Sequence, residues 1–457
     1  MTENMTEGSP IKLILRFSLP LLLGNLLQQM YNMIDAAIVG RVLGADALAG
    51  VGASSSVQFL VLGFCMGICA GFSVPVAKYF GAEHFGRLRS CVFHAYLMTG
   101  AIAAVLTVST ALLCHKILDI MSTPENIYGD AYIYLLIIFL GIPFTLFYNL
   151  LAGIMRAVGD SRTPFIFLMI SAFLNIFLDV LLIAVIRLGC AGAALATVIA
   201  QACSGIACFI YIQKKYPLLK LKKRYCKLNI YAAKELFIMG VPMGLQYSIT
   251  AIGSMVMQAA NNGLGSVYVS GFTAGSKLKQ LAMCPFDAIA TGVSVFSSQN
   301  LGAGKTERIK KGIFSGVAVG TAYGAFIGIV LIFFGRVLSM MFVKSGEAAV
   351  LDASAQYLMC LGFFYWLIGI LNVTRMTIQG LGYSAVAIFS GALEMLARII
   401  VSRTFVPKYG FTAICFTDQS AWLAATIYCS IVCAVCVRIV TKKALSGTLN
   451  HLHGVRK

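Results

Sequence analysis

The stretch VLGADALAGVGAS (42–54) has a partner 221 positions later, GLGSVYVSGFTAG (263–275). The pairing sets Gly44 against Gly265, Gly50 against Gly271 and Ala53 against Ala274. At the same shift FGAEHFGRL (80–88) falls on LGAGKTERI (301–309), with Gly81 on Gly302. Pro20 meets Pro242 at a shift of 222, and RAVGDS (156–161) meets QGLGYS (379–384) at 223, pairing Gly159 with Gly382. Each match is short. Four in register, separated by small indels, define an internal repeat.

The repeat is built from apolar blocks. Of the 457 residues 59% are hydrophobic and 11% charged, against about 25% charged in soluble domains. The blocks run to about 20–30 residues, which suits helices crossing a hydrocarbon core of about 30 Å. Barrel strands would be shorter and would alternate polar with apolar. Twelve spans fit: 11–40, 50–80, 89–115, 128–156, 163–187, 190–213, 231–262, 267–300, 308–336, 350–380, 384–404 and 412–441. The fifth and sixth join tightly through GCAGAALA (189–196). The expected fold is an all-α integral membrane protein with twelve transmembrane helices in two pseudo-symmetric halves. Six spans is an even number, so both halves have one orientation, a parallel repeat with a cavity between them.

The longest polar stretch, QKKYPLLKLKKRYCKLNIYAAKE (213–235), carries Lys214, Lys215, Lys220, Lys222, Lys223, Arg224, Lys227 and Lys234. It reads as the link between halves, so residues 1–213 form an amino-terminal lobe, 214–234 a basic linker and 235–457 a carboxy-terminal lobe. Lys78, Arg87 and Arg89 follow span two, and Lys305, Arg308, Lys310 and Lys311 follow span eight. The loop after span three, STPENIYGD, is acidic. Basic loops lie on the cytoplasmic side, so both termini are expected there. The net charge of +18 is thus a topology signal, and nucleic acid is not an expected partner. The amino-terminal MTENMTEGSPIK lacks a basic n-region and leads into a block too long for a signal segment, so it reads as a retained first span. Fourteen scattered Cys show no zinc spacing and read as packing residues.

Four carboxylates stand inside apolar stretches: Asp35, Asp179, Asp287 and Glu394. Lipid penalises a charge at its centre by about 3 kcal/mol or more, so such residues mark function by default. Asn175 and Asp179, four apart in SAFLNIFLDVLL (171–182), share one helical face that must meet protein or water. Asp35 lies six residues before Arg41, about 9 Å from the end of its helix. The set points to a cation or proton site in a transporter.

Asp35 in DAAIVGRVLGADALAG, the Gly-Ala loop after span two, RAVGDSRTP after span four, NIFLD in span five and QNLGAG after span eight resemble the multidrug and toxic compound extrusion transporters, over essentially the whole chain. The amino half is similar to the DNA-damage-inducible-F-like branch and bacterial multidrug-pump relatives. The resemblance implies two six-helix lobes in a V that opens alternately to either side of a bacterial cytoplasmic membrane. It implies export of organic, often cationic, compounds in exchange for H⁺ or Na⁺, with no other cofactor and a monomeric chain. It implies a site of Asp35, Tyr134, Asn175, Asp179 and Thr197, Tyr132 and Tyr148 standing close to Tyr134 in sequence.

Two carboxylates sharing a pocket repel each other, so the pair can hold one proton or a small cation. Neutral oxygens on Asn175, Thr197 and Tyr134 would help, and oxygen ligands suit hard cations such as Na⁺. Ion entry is expected to bend or shift helix one and eject substrate.

The carboxyl half differs. At the repeat shifts Asp35 meets Val256 or Met257, Asn175 meets Arg398 and Asp179 meets Ser402. Span seven offers neutral Gln246, Thr250, Gln258, Asn261 and Asn262, and span ten no acid in its core. Glu394 and Arg398 are four apart and expected to pair. Asp287 follows Pro285. Lys277 and Lys279 either snorkel to an interface or face the cavity, where they would admit anionic or zwitterionic substrates.

Rival functions are separable. A lipid-linked oligosaccharide flippase of the same superfamily usually carries Arg clusters and often fourteen spans. A membrane enzyme would need a catalytic motif, and no HExxH or GxSxG is present. A channel has no use for repeats with unequal ionisable sites.

Overall fold

The computed structural model describes residues 4–121, 123–221, 226–344 and 346–446, apart from the side chains of Ala45 and Ala53. Lys222, Lys223 and Arg224 of the linker lie outside the described residues. Every regular element among the described residues is helical.

The helices are α1 (Pro10–Val42), α2 (Ala45–Gly81), α3 (Phe85–Ile120), α4 (Glu125–Leu140), α5 (Ile142–Ala157), α6 (Arg162–Asp179) and α7 (Cys190–Lys215) in the first half. The second half has α8 (Ile230–Asn262), α9 (Ser266–Gly302), α10 (Thr306–Ser339), α11 (Ala348–Gly362), α12 (Tyr365–Gly380), α13 (Ser384–Ile400), the short α14 (Val406–Tyr409) and α15 (Phe411–Leu445). Among the described residues ten are long and apolar enough to cross a membrane, and counting each of two bent pairs as one span brings the number to twelve. The α4–α5 pair bends by 47° and the α11–α12 pair by 55°, each where a helix ends at a glycine, Gly141 or Gly362. Spans four and ten of the sequence reading are therefore broken helices.

The repeat register is visible in the backbone. Gly44 and Gly265, Gly159 and Gly382, and Gly189 and Gly410 all have positive φ, and each pair sits at the sequence shift of its neighbourhood. A π-helical stretch follows α6 at Val180–Val185, and another follows α13 at Val401–Phe405. Such wide turns concentrate at functional sites.

Packing divides the chain into two compact units, Leu23–Gly244 in one and Asn4–Leu22 with the residues from Leu245 onward in the other. The division cuts α1 and α8, not the linker. In the first unit Gly67 and Gly71 of α2 meet Gly240 and Gly244 of α8. A Cβ on Gly71 would stand 2.6 Å from the Met239 carbonyl. Small residues four apart let membrane helices approach this closely. Lys78 pairs with Glu235 at 3.0 Å and Tyr79 donates to the same carboxylate at 2.7 Å. The GDS turn after α5 is explained by buried Asp160, which accepts from the Arg162 and Thr163 amides at 3.0 Å, a helix-start cap for α6.

In the second unit Met5 is fully buried with Ile14, Phe17, Ile289 and Phe296. Its amide donates to Gln299 Oε1 at 3.0 Å and its carbonyl accepts from Asn300 at 3.1 Å. Gly320 and Gly324 of α10 lie against α12, where a Cβ on Gly324 would be 2.7 Å from the Tyr365 carbonyl.

Candidate functional site

In the first unit α1 carries Asp35, α4 Tyr134, α6 Asn175 and Asp179, and α7 Thr197. Asp179 is the last residue of α6, directly before the π-helical stretch, and is fully buried. Its carboxylate lies within hydrogen-bonding reach of the Asp35 carboxylate. Asn175 donates to Thr197 Oγ1 at 3.4 Å. Tyr134 is buried and lies close to Gln58 of α2 and to both acids. The five residues thus share one pocket. Tyr132 instead stacks on His115 at 4.0 Å, and Tyr148 donates to the Pro164 carbonyl at 3.2 Å. Neither neighbours the acids as Tyr134 does.

The pocket holds more acceptors than donors. Among the described residues Asp35 Oδ1, Asn175 Oδ1 and both oxygens of Asp179 are buried without a donor. Asp35 and Asp179 offer each other only acceptor oxygens while both are ionised. Buried polar atoms are normally satisfied, so this cluster calls for explanation. A proton between the carboxylates, or a small cation among the oxygens, supplies what is missing.

The second unit is charged and closed on itself. Arg375 of α12 donates to Glu394 at 2.6 Å. Glu394 meets Arg398 at the longer distance of 3.4 Å, and Arg398 Nε donates to Asp418 of α15 at 3.1 Å. Asp418 also accepts from Lys279 at 2.7 Å and from Tyr357 at 3.0 Å. The expected Glu394–Arg398 pair is present as one link in a longer chain. The sequence reading does not single out Arg375 and Asp418, although each is a charge within an apolar run, NVTRMTIQ (372–379) and FTDQSAW (416–422).

Lys277 and Lys279 separate. Lys279 is largely buried in the ion pair, whereas Lys277 is exposed with its ammonium 5.5 Å from the Phe342 ring centre. Thr273, Lys277, Gln280 and Asp287 are all exposed on α9, at spacings that place them on one helical face. Asp287 accepts from Asn372 at 3.2 Å, and Asn372 accepts from Arg375 at 2.7 Å. Among the described residues Asp287 forms no ion pair, and no cluster of three or more His, Cys, Asp or Glu could hold a metal ion.

The two pockets occupy equivalent places. Helices α2 and α9 begin 221 residues apart, α4 and α11 223 apart, and α7 and α15 221 apart. Gln58 therefore corresponds to Lys279, Tyr134 to Tyr357 and Thr197 to Asp418, and the RAVGDS–QGLGYS register of 223 sets Asn175 on Arg398. The contacts correspond too. Gln58 lies close to Tyr134, and Lys279 lies 5.9 Å from the Tyr357 ring centre. Asn175 donates to Thr197, and Arg398 donates to Asp418.

Comparison with known proteins agrees with this architecture. The MatE family model matches residues 20–181 and 242–404, one match per half. The chain is 30% identical over 420 residues to the probable multidrug resistance protein YpnP of Bacillus subtilis, covering 92% of this chain and 91% of that one. It is 28% identical to the probable multidrug resistance protein YoeA of the same organism, covering 84% of each. A crystal structure of MATE in complex with MaL6 superimposes with a TM-score of 0.88 at 19% identity, covering 97% of this chain and 100% of that one. Two matched halves, twelve helical spans and near-complete coverage converge: the chain belongs to the MatE family and is a membrane transporter, not an enzyme.

Proposed function

We propose that the protein is a secondary antiporter that exports organic cationic and amphipathic compounds, drugs and toxins among them, in exchange for H⁺ or Na⁺ by alternating access. The observation that carries this reading is the donor-poor oxygen cluster of Asp35, Asn175 and Asp179. The facing carboxylates repel unless a positive charge joins them. Thr197 and Tyr134 add neutral oxygens, a set suited to a proton or to Na⁺. One charge crossing about 100 mV releases about 2.3 kcal/mol, enough to bias a two-state transporter.

Asp35 and Asp179 stand on different helices, α1 and α6. Without the ion the charges push these helices apart; with it they are drawn together. Ion entry therefore changes the preferred position of α1 and couples the gradient to substrate release. The polar face of α9 carries exposed Asp287 and Lys277 together, so it offers a substrate charges of both signs in the second unit, Asp287 being the one suited to an organic cation. The names of the relatives support the drug class. The basic loops support an orientation with both termini and the 214–234 linker on the cytoplasmic side of a bacterial cytoplasmic membrane. The chain acts as a monomer.

Proteoliposomes with an imposed pH or Na⁺ gradient test the reading, with ethidium movement as the signal. One gradient should drive ethidium, and Asp35→Asn should abolish the coupled flux. Ethidium movement indifferent to both gradients, or retained gradient dependence in the variant, contradicts it.

A further inference from the structure

We infer that the second unit keeps the frame of the ion pocket but fills the ion's place with the chain's own cations, Lys279 and Arg398, so that each chain binds one exchangeable cation and not two. The inference rests on the ion-coupling reading of the first unit and adds the reason why only one half couples.

Lys279 stands where Gln58 stands in the first unit, and Arg398 where Asn175 stands. Both changes put a permanent positive charge where a neutral amide would otherwise be. A lysine ammonium is a compact point charge with three donors on a flexible stem, comparable in role to a small monovalent cation. Here it reaches Asp418 and lies beside Tyr357, the equivalent of Tyr134.

The satisfaction of the acids then differs between the copies. In the first unit both Asp179 oxygens lack a donor. In the second, the place of Asp179 is taken by Ser402, and the acid is Asp418, at the place of Thr197; its Oδ1 takes Arg398, and its Oδ2 takes Lys279 and Tyr357. The position of Asp35 is filled by apolar Val256 or Met257, and Met257 is buried. A mobile cation entering this pocket would have to displace a tethered one. The charge of the second pocket therefore stays constant through the transport cycle, while that of the first changes.

Exchange of residues between the pockets tests this, read as charge displacement on solid-supported membranes after Na⁺ or pH jumps. The parent chain should respond to one of the jumps, and Asp35→Asn should silence it. Adding Lys279→Gln and Arg398→Asn to Asp35→Asn, the residues of the first pocket at those positions, should restore a response from the second. Conversely Gln58→Lys alone should silence the parent chain, because the first pocket then carries its own cation. This variant adds a charge that pairs with existing acids, so it remains informative if the triple variant does not fold. A parent response that survives Gln58→Lys overturns the inference alone, as does a folded triple variant that stays silent. A parent chain silent to both jumps overturns the coupling reading, and the inference with it.

Discussion

Asp179 turns its carboxylate toward Asp35, and neither of its oxygens receives a hydrogen from the protein. Such a pair is kept at a cost to stability. Asp179→Asn should leave the chain at least as heat-stable as the parent while ion-coupled ethidium flux falls to background. The expected trade follows from the general conflict between strained sites and stability. The coupling ion should raise the melting temperature of the parent, since a ligand that binds only the folded state stabilises it. The increase should vanish in Asp179→Asn. A melting series in NaCl and in acid, matched to vesicle transport, checks both points.

The tyrosines near the site give a second prediction. Tyr134→Phe removes a hydroxyl near both acids and should weaken the ion response while the fold survives. Tyr148→Phe removes a hydrogen bond to the Pro164 carbonyl and should cost about 1 kcal/mol of stability with the ion response intact. Ion titrations of the two variants, run beside thermal melts, should separate them cleanly.

Asp418 is the opposite of Asp179. It holds Lys279, Arg398 and Tyr357 together. Asp418→Asn leaves two buried cations short of a partner, a change that typically costs about 3–5 kcal/mol. The variant should show poor yield and early heat aggregation by size-exclusion chromatography. A variant as stable as the parent would show that the string contributes little.

A fourth prediction concerns helix contact. Gly71→Ala places a methyl 2.5 Å from the Gly240 Cα, backbone that cannot turn aside. Overpacking of this kind costs about 1–3 kcal/mol. A methyl on Gly52 of the same helix would meet nothing within 4 Å, so Gly52→Ala should be neutral or stabilising by about 0.5–1 kcal/mol. Melting temperatures of the two variants decide the comparison.

Asp287 gives the fifth. It is exposed on the polar face of α9 and without an ion pair among the described residues. Asp287→Asn should weaken binding of tetraphenylphosphonium and ethidium and leave a neutral dye such as Nile red unaffected. Equal losses for charged and neutral dyes would assign Asp287 a packing role instead.

Much of the architecture was legible from sequence because hydropathy and glycine placement act locally. The twelve spans and the repeat came from apolar block lengths and from pairs such as Gly44 with Gly265. The bends at Gly141 and Gly362 were not legible, because a break in helical direction leaves hydropathy unchanged. Asp35, Asn175 and Asp179 stood out as polar groups in apolar runs. Asp418 and Arg375 carry the same signal, a charge within an apolar run. Their partners lie on other helices, so the Asp418–Lys279 and Arg375–Glu394 links depend on packing that no spacing rule encodes. Glu394 and Arg398 satisfied a spacing rule, yet the shorter Glu394 bond goes to Arg375.

The paired π-helical stretches at Val180–Val185 and Val401–Phe405 carry a historical consequence. Each widens a helix turn in the same part of its half, beside Asp179 in one and around Ser402 in the other. A feature shared at matched places is inherited most simply from the single ancestral half that was duplicated. The charges beside it are not shared: Asn175 faces Arg398 and Thr197 faces Asp418 across the repeat. The shared backbone feature is therefore the part of the two halves attributable to a common ancestor, and the side chains beside it are the part that diverged.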